Sequence, residues 1–262
     1  MELGLKGKRA LVCASSRGLG FACALGLAKE GCRLVIASRN QERIEEAADR
    51  IRRETGAHVH AVVANVEDHD VAQKLVQACI DEFGGLEIAI HNAGGPPGGG
   101  FAAIDESQWA LAFELSLMSF VRIARAAVPQ MQQAGYGRLI AIASSSIRQP
   151  IPNLVLSNAM RMGVLGTAKT LSKELAMDNI LVNVIAPGRI STERIDELDR
   201  ADAEREGATV DAIQKASVAT IPIGRLGQPE ELANLAVFLS SEAASYITGT
   251  AIQVDGGMLS AY

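Results

Sequence analysis

The sequence predicts an α/β protein with a doubly wound, Rossmann-type fold, in which helices cover both faces of a seven-stranded parallel sheet. Short apolar segments alternate with longer amphipathic helical segments along the whole chain, and the apolar segments are continuous rather than alternating in polarity. Strands of that kind are buried on both faces, as in parallel sheets. No linker or shift in composition divides the 262 residues, so we expect a single domain spanning 1–262.

Seven apolar segments are the predicted strands, and each is followed by a turn or a helical pattern. They span 9–14, 33–38, 58–63, 87–91, 138–143, 180–185 and 251–254. The helical patterns span 21–29, 41–55, 70–83, 107–133, 154–177 and 229–239. Residues 191–222 are polar and irregularly helical. Ligands of such folds bind outside the carboxyl ends of the strands.

Composition and charge exclude several function classes. The chain is 48% hydrophobic and 21% charged, which excludes low-complexity disorder, and its net charge of −5 with scattered cations predicts no nucleic-acid partner. Its four cysteines form no Cys-x-x-Cys pair, so we expect reduced core thiols and no metal site. No apolar segment reaches ~20 residues, so we expect a cytoplasmic protein without a signal peptide or a membrane partner.

A glycine-rich turn follows the first predicted strand. Backbone N–H groups in such a turn approach a pyrophosphate closely, and the dipole of the following helix favours the negative charge. Ala14 occupies a place where a further glycine is common, and a tight strand-to-helix turn without a ligand is the alternative interpretation. The predicted cofactor contacts in this turn are Ala14, Ser16, Arg17, Gly18, Leu19 and Gly20.

The end of the second predicted strand distinguishes NADP(H) from NAD(H). An acidic residue there would bind the ribose hydroxyls of NAD and repel a 2′-phosphate. This chain has Ser38 and Arg39 instead, with Arg17 in the glycine-rich turn. Because two guanidinium groups and a hydroxyl suit a phosphate, we predict NADP (NADPH) as the cofactor in preference to NAD. A solvated Arg39 at the start of the next helix is the alternative.

Several motifs occur in the order and spacing of one family. The motif Thr-Gly-x-x-x-Gly-x-Gly corresponds to residues 13–20, Asp-Val to Asn65-Val66, Asn-Asn-Ala-Gly to residues 91–94, and Pro-Gly to Pro187-Gly188 with Ile190 and Thr192 after it. The chain thus resembles the short-chain dehydrogenase/reductase family over essentially its full length. Its residues 225–231, 245–249 and 254–257 are similar to those of bacterial 3-oxoacyl-[acyl-carrier-protein] reductases.

The resemblance implies a cofactor site, a lid and an assembly. The family lays NAD(P) across the strand ends and commonly forms a homotetramer, so we expect a homotetramer or homodimer acting on a small-molecule substrate. Residues 191–222, which we call the lid, correspond to the mobile cover of the substrate. The cofactor contacts that the resemblance adds are Asn65, Val66, Asn92, Ala93, Gly94, Pro187, Gly188, Ile190 and Thr192.

The chain departs from the family at the catalytic residues. The family's Tyr-x-x-x-Lys pair lies on the helix after the fifth strand, where this chain has Ser157 and Arg161. Ser116 stands where the family has an asparagine, and the family's serine is retained as Ser145 or an adjacent serine. We therefore expect Ser145, Ser157, Arg161 and Ser116 to form an altered catalytic set, with Arg161 also contacting the cofactor. The tyrosines of the chain, Tyr136, Tyr246 and Tyr262, all lie elsewhere in the sequence.

These substitutions preserve cofactor attraction better than proton transfer. A serine hydroxyl is a far weaker acid than a phenol and reaches less far, whereas arginine keeps its positive charge and its proton near neutrality. His91 at the end of the fourth strand is an alternative acid, although a supporting structural role is favoured. His58 and His60 share a strand face without a third ligand nearby, so packing is favoured over a metal site.

Functions from two classes are consistent with the sequence. The leading hypothesis is an NADP(H)-dependent oxidoreductase that acts on a carbonyl/alcohol pair with an altered catalytic set. The alternative is a non-catalytic NADP(H)-binding or regulatory protein on the same fold, because three of the family's four catalytic side chains are replaced. A lyase or isomerase with a structural nucleotide is a further alternative.

Overall fold

The computed structural model describes residues 2–261 and contains one sheet of seven parallel strands. The strands are Arg9–Val12 (β1), Arg33–Ser38 (β2), Val59–Val63 (β3), Ile88–His91 (β4), Gly137–Ile142 (β5), Ile180–Pro187 (β6) and Ala251–Val254 (β7). Their order in the sheet is β3-β2-β1-β4-β5-β6-β7. The chain therefore reverses its direction of winding between β1 and β4, which is the point where doubly wound sheets bind ligands. The predicted fold class is confirmed.

The longer helices alternate with the strands. They are Gly18–Lys29 (α1), Gln41–Thr55 (α2), Val71–Phe83 (α3), Glu106–Ala112 (α4), Ser119–Ala134 (α5), Val155–Glu174 (α6), Glu193–Glu206 (α7), Val210–Ala219 (α8) and Pro229–Ser240 (α9). No helix of the described residues is long and apolar enough to span a membrane.

Two apolar cores lie on the two faces of the sheet because the strands are apolar on both sides. One core contains buried side chains of α3, α5 and α6, and the other contains buried side chains of α1, α2 and α9. All four cysteines are buried and unpaired, and burial raises the pKa of Cys13, Cys23 and Cys32 to about 12. The predicted core thiols are confirmed.

The structure differs from the prediction at the helix expected over 107–133. A π-helical segment, Phe113–Met118, separates α4 from α5. At the start of α5, Ser119 Oγ donates to the Leu115 carbonyl at 2.5 Å and lies 2.8 Å from His91 Nε2 on β4. The contact between Ser119 and His91 joins residues far apart in sequence, so it could not be predicted from the apolar periodicity of the helix.

Candidate active site

One cavity of about 550 Å³ opens at the carboxyl ends of the strands. Its wall is formed by the loops that follow β1 to β7, by Leu115 of the π-helical segment, and by the first two turns of α6 and α7. It thus spans the switch point between β1 and β4, the expected ligand site of this fold. The predicted cofactor residues on this wall are Ala14, Ser16, Arg17, Gly18, Leu19, Ser38, Arg39, Asn65, Val66, Asn92, Ala93, Gly94, Arg161, Pro187, Gly188, Ile190 and Thr192.

Gly20 is a predicted cofactor contact that the structure does not bring to the wall. A Cβ at Gly20 would lie 2.3 Å from the Ala14 carbonyl oxygen and 2.8 Å from Asn92 Nδ2. Asn92 Nδ2 itself donates to the Ala14 carbonyl at 3.1 Å. Glycine is required here because α1 approaches the preceding loop closely. Gly20 therefore allows the packing of this loop without lining the cavity.

The glycine-rich turn holds an alanine in a conformation that favours glycine. Ala14 has φ 45°, in the left-handed region, and Gly18 has φ 56°. The family motif has glycine at the position of Ala14, and the left-handed φ of Ala14 is one that glycine adopts readily. Ser15 fixes this course, because its hydroxyl donates to the Val12 carbonyl at 2.8 Å and accepts from the Ala37 amide at 3.1 Å.

A group of polar residues lies at the ends of β1 and β2. Ser16 Oγ donates to Ser38 Oγ at 3.0 Å, and both side chains face the cavity. Arg39 is exposed and lies between this cavity and a smaller neighbouring one that Lys74 also lines. Arg17 reaches across the opening and forms an ion pair with Glu193 at the start of α7. Ser38, Arg39 and Arg17 therefore line one cavity, with the Arg17 side chain directed toward the lid.

Arg161 is a buried cation at the centre of the cavity wall. It projects from α6 and is only 4% exposed. Its guanidinium donates to the carbonyls of Ile142 at 3.2 Å, Gly94 at 3.3 Å and Ala93 at 3.5 Å, so it joins the ends of β5 and β4. Burial lowers the pKa of Arg161 to about 10, with a further contribution from the charge of Arg194. The group remains protonated at neutral pH.

Three serines share the cavity wall with this guanidinium. Ser144, Ser145 and Ser157 line the cavity, and Ser157 lies one helical turn before Arg161 on the same face of α6. The neighbouring Ser146 is buried away from the cavity, with its Oγ lacking a partner among the described residues. The structure therefore brings the predicted Ser145, Ser157 and Arg161 together.

Ser116 does not reach the cavity. It is fully buried in the π-helical segment, and its Oγ has no hydrogen-bond partner among residues 2–261. An asparagine side chain at this position would be longer and would carry two donors, whereas the serine hydroxyl stays within the helix packing. Any contribution of Ser116 to the site is therefore indirect.

The described tyrosines lie outside the cavity. Tyr136 is buried between the sheet and α9, and its Oη donates to the Ser240 carbonyl at 2.7 Å. Tyr246 is fully exposed on the surface. Tyr262 lies outside the described residues. Within residues 2–261, hydroxyl groups of serine and threonine, and not a phenol, face the space at the strand ends.

The histidines do not supply an acid to the cavity. His91 is fully buried behind the wall, and burial, assisted by the charge of Arg161, lowers the pKa of His91 to about 3. It is neutral at physiological pH. His58 packs edge-on against the Phe83 ring at 5.1 Å, as predicted, and Glu82 lies 2.8 Å from His58 Nε2 and 3.7 Å from His60 Nδ1. Within residues 2–261 no group of three metal-ligating side chains occurs.

The lid contributes charged residues that sequence reasoning missed. Glu193, Arg194 and Glu197 of α7 line the cavity. Arg194 donates to the Pro96 carbonyl at 2.8 Å, across the opening from its own helix. The run of charges in 193–205 resembles an ordinary solvated helix face, so the sequence carried no signal for these inward contacts.

Comparisons with known proteins place the chain in a family. The family model described as enoyl-(acyl carrier protein) reductase matches residues 13–259. The dehydrogenase/reductase SDR family member 4 of Bos taurus is 35% identical over 257 residues, which cover 98% of this chain and 88% of the relative. The chain belongs to the short-chain dehydrogenase/reductase family.

Two further members show how closely the chain follows the family. A 3-oxoacyl-[acyl-carrier-protein] reductase of Chlamydia trachomatis is 32% identical over 97% of this chain and 98% of its own length. The crystal structure of L-sorbose reductase from Gluconobacter frateurii, in complex with NADPH and L-sorbose, superimposes with a TM-score of 0.95 at 35% identity, covering 100% of both chains. The predicted family resemblance is confirmed.

Proposed function

We propose that this short-chain dehydrogenase/reductase is an NADP(H)-dependent oxidoreductase that acts on a carbonyl/alcohol pair with an altered catalytic set. One observation carries the proposal: a single cavity has Ser38 and Arg39 at one end and Ser145, Ser157 and Arg161 at the other. The NADPH in the similar L-sorbose reductase structure supports the choice of cofactor. The similarity to 3-oxoacyl-[acyl-carrier-protein] reductases supports a carbonyl substrate.

The residues at the strand ends fit NADP(H). Gly18 has a positive φ at the start of α1, where amide groups and the helix dipole would hold the pyrophosphate. The side chains of Ser38, Arg39 and Arg17 would hold the 2′-phosphate through charge-assisted hydrogen bonds. Asn92 to Gly94 and Pro187 to Thr192 would contact the central and nicotinamide portions. When bound, the cofactor supplies or accepts the hydride.

The serines provide the polar contacts to the reacting oxygen. Ser145 donates a hydrogen bond to the substrate oxygen, and the Ser157 hydroxyl conveys a proton to it through water, because serine reaches less far than tyrosine. Ser116 lies in place of the family's asparagine and acts only through the packing of its helix. Because a serine hydroxyl is a weaker acid than a phenol, we expect slow proton transfer to the substrate oxygen and therefore slow turnover.

Arg161 supplies a fixed positive charge. Three carbonyls hold its guanidinium, so it orients the nicotinamide ribose and stabilises negative charge that develops on the substrate oxygen. It does not act as the proton donor near pH 7, because an arginine guanidinium keeps its proton in proteins. As in the family, we also propose a homotetramer or homodimer as the assembled form.

The test is oxidation of NADPH, followed by absorbance, with a panel of ketones, aldehydes and 3-oxoacyl thioesters. We expect slow, saturable oxidation with at least one carbonyl class and a strong decrease in kcat in Ser145→Ala. Tight NADPH binding with no oxidation by any compound would instead favour the non-catalytic NADP(H)-binding protein. Product formation without any net change of the cofactor would indicate a lyase or isomerase.

A further inference from the structure

The cavity wall is positively charged although the chain is acidic. It carries the arginines Arg17, Arg39, Arg161, Arg189 and Arg194, against the glutamates Glu67, Glu193 and Glu197. The whole chain has 25 lysines and arginines and 30 acidic residues. Such an excess of one sign within a cleft attracts ligands of the opposite sign.

Two of these arginines have close acidic partners, and a third has a proposed one. Arg17 pairs with Glu193, and Arg189 pairs with Asp199, a fully buried carboxylate on α7. Arg39 lies at the end of β2, where the proposed 2′-phosphate would bind. The remaining two are Arg161, which we place beside the nicotinamide ribose, and Arg194 of the lid.

Arg161 has no acidic partner within the described residues. Its guanidinium donates only to carbonyl oxygens, and no carboxylate of residues 2–261 lies within 4.0 Å of it. Its buried Nε makes no hydrogen bond there. A buried charge without an acidic partner is unfavourable; the three carbonyl oxygens offset part of that cost, and a bound anion would offset more of it.

Arg194 approaches the same space from the lid. Its side chain crosses to the Pro96 carbonyl in the loop after β4, and the Arg161 guanidinium bonds to Gly94 in that same loop. The two cations are close enough for Arg194 to lower the pKa of Arg161. The nearest acidic group, Glu197, is 3.5 Å from Arg194 and half exposed, so it neutralises the pair incompletely.

The position of this pair indicates which part of a ligand it would hold. Arg17 and Arg39 follow β1 and β2, on the adenosine side of the switch point, whereas Arg161 bonds to the ends of β4 and β5. Ser157 lies one turn from Arg161 on α6. An anionic group held here would therefore be next to the hydroxyl that we assign to proton transfer.

We propose that Arg161 and Arg194 form a carboxylate-binding subsite, and that the substrate is an oxo acid whose carboxylate lies one or two carbons from the reacting carbonyl. Guanidinium groups bind carboxylates through paired charge-assisted hydrogen bonds. The lid arginine would thereby close over the substrate and orient its carbonyl toward Ser157. This inference rests on the proposed function for the reaction but concerns binding alone.

The test compares oxamate with oxamide, which has the same shape without the charge. Calorimetric titration of the NADPH complex is expected to show oxamate binding about tenfold or more tightly than oxamide. Arg194→Gln is expected to remove most of that preference while NADPH affinity stays within about twofold. Arg200→Gln, an exposed arginine of the same helix, is the matched control and should change neither value.

A second variant tests the opposite direction. Glu197→Gln removes the carboxylate beside Arg194, so oxamate should bind more tightly to this variant. A purely structural role of Arg194 would not produce opposite changes in the two variants. Thermal unfolding of each variant verifies that the fold is retained.

The outcomes separate this proposal from the proposed function. Equal binding of oxamate and oxamide would overturn the subsite, even if neutral carbonyls oxidise NADPH. Loss of NADPH affinity in Arg194→Gln as large as the loss of oxamate affinity would assign Arg194 to the cofactor and also overturn it. Selective oxamate binding without NADPH oxidation by any carbonyl would support the subsite and contradict the oxidoreductase.

Discussion

Arg17 of the glycine-rich turn forms an ion pair with Glu193, the first residue of α7, and so joins the cofactor side of the cavity to the lid. Both side chains are partly exposed, so the pair contributes little to stability. The pair matters for cofactor binding because the Glu193 carboxylate occupies the Arg17 guanidinium, which we assign to the 2′-phosphate. The carboxylate and the phosphate would therefore compete for Arg17. Binding of that phosphate would release the start of the lid.

Glu193→Gln should therefore raise the affinity for NADPH. Removing the competing carboxylate frees Arg17, and the expected gain is about two- to fivefold, the magnitude of an exposed ion pair. NADH affinity should change less, because NADH lacks the 2′-phosphate. Fluorescence titration with both nucleotides measures the effect, and Glu204→Gln, an exposed residue of the same helix, is the control. Equal gains for both nucleotides would show that Arg17 does not select the phosphate.

Arg39→Asp should reverse the cofactor preference. The substitution removes a cation beside Ser38 and adds an acid that can bind ribose hydroxyls, so the NADPH to NADH affinity ratio should fall at least about tenfold, or ~1.4 kcal/mol. Arg43→Asp places the same change on the exposed face of α2, outside the cavity, and should leave the ratio nearly unchanged. A ratio that is the same in both variants would remove the 2′-phosphate assignment.

The double variant Ser157→Tyr with Arg161→Lys tests the altered catalytic set. It restores the family's phenol and ammonium at the positions that face the cavity, so kcat for a simple ketone should rise by about tenfold or more. The single variant Ser157→Tyr should gain less, since the ammonium assists the phenol. Retained NADPH binding without any gain in the double variant would mean that the family's reaction is not what this cavity accommodates.

The buried His91 should make the stability of the folded protein depend on pH. Its folded pKa of about 3 is lower than the ordinary value of 6.5, so the unfolded state binds the additional proton. The contribution of neutral His91 to the free energy of unfolding is complete above pH 6.5. It is lost as the pH falls toward 3, at up to about 1.4 kcal/mol per pH unit. His91→Asn, which introduces the family's residue, should make denaturant unfolding less dependent on pH in this interval.

The sheet and much of the cavity wall could be predicted because they depend on local sequence. Continuous apolar segments produced the strands, and residues directly after a strand end, such as Ser38 and Asn92, necessarily meet at one edge of a parallel sheet. The glycine-rich turn was recognisable for the same reason. Ala14 adopts the left-handed conformation that its place in the motif requires.

The remaining parts depend on contacts between distant residues. Arg194 was indistinguishable from a solvated helix residue until the structure showed its bond to Pro96, which is 98 residues away in the chain. Ser116 could be aligned with the family's asparagine, but whether it reaches the cavity depends on the π-helical segment in which it lies. His58 packs against Phe83 as expected, but the approach of His58 and His60 to Glu82 of α3 could not be predicted from the sequence.

Calorimetric titration with NADPH and with NADH tests the central claim most directly. We expect one NADPH per chain, bound at least about tenfold more tightly than NADH, because guanidinium groups meet the additional phosphate. An absence of heat with NADPH and NADP⁺, or tighter binding of NADH, would contradict the account.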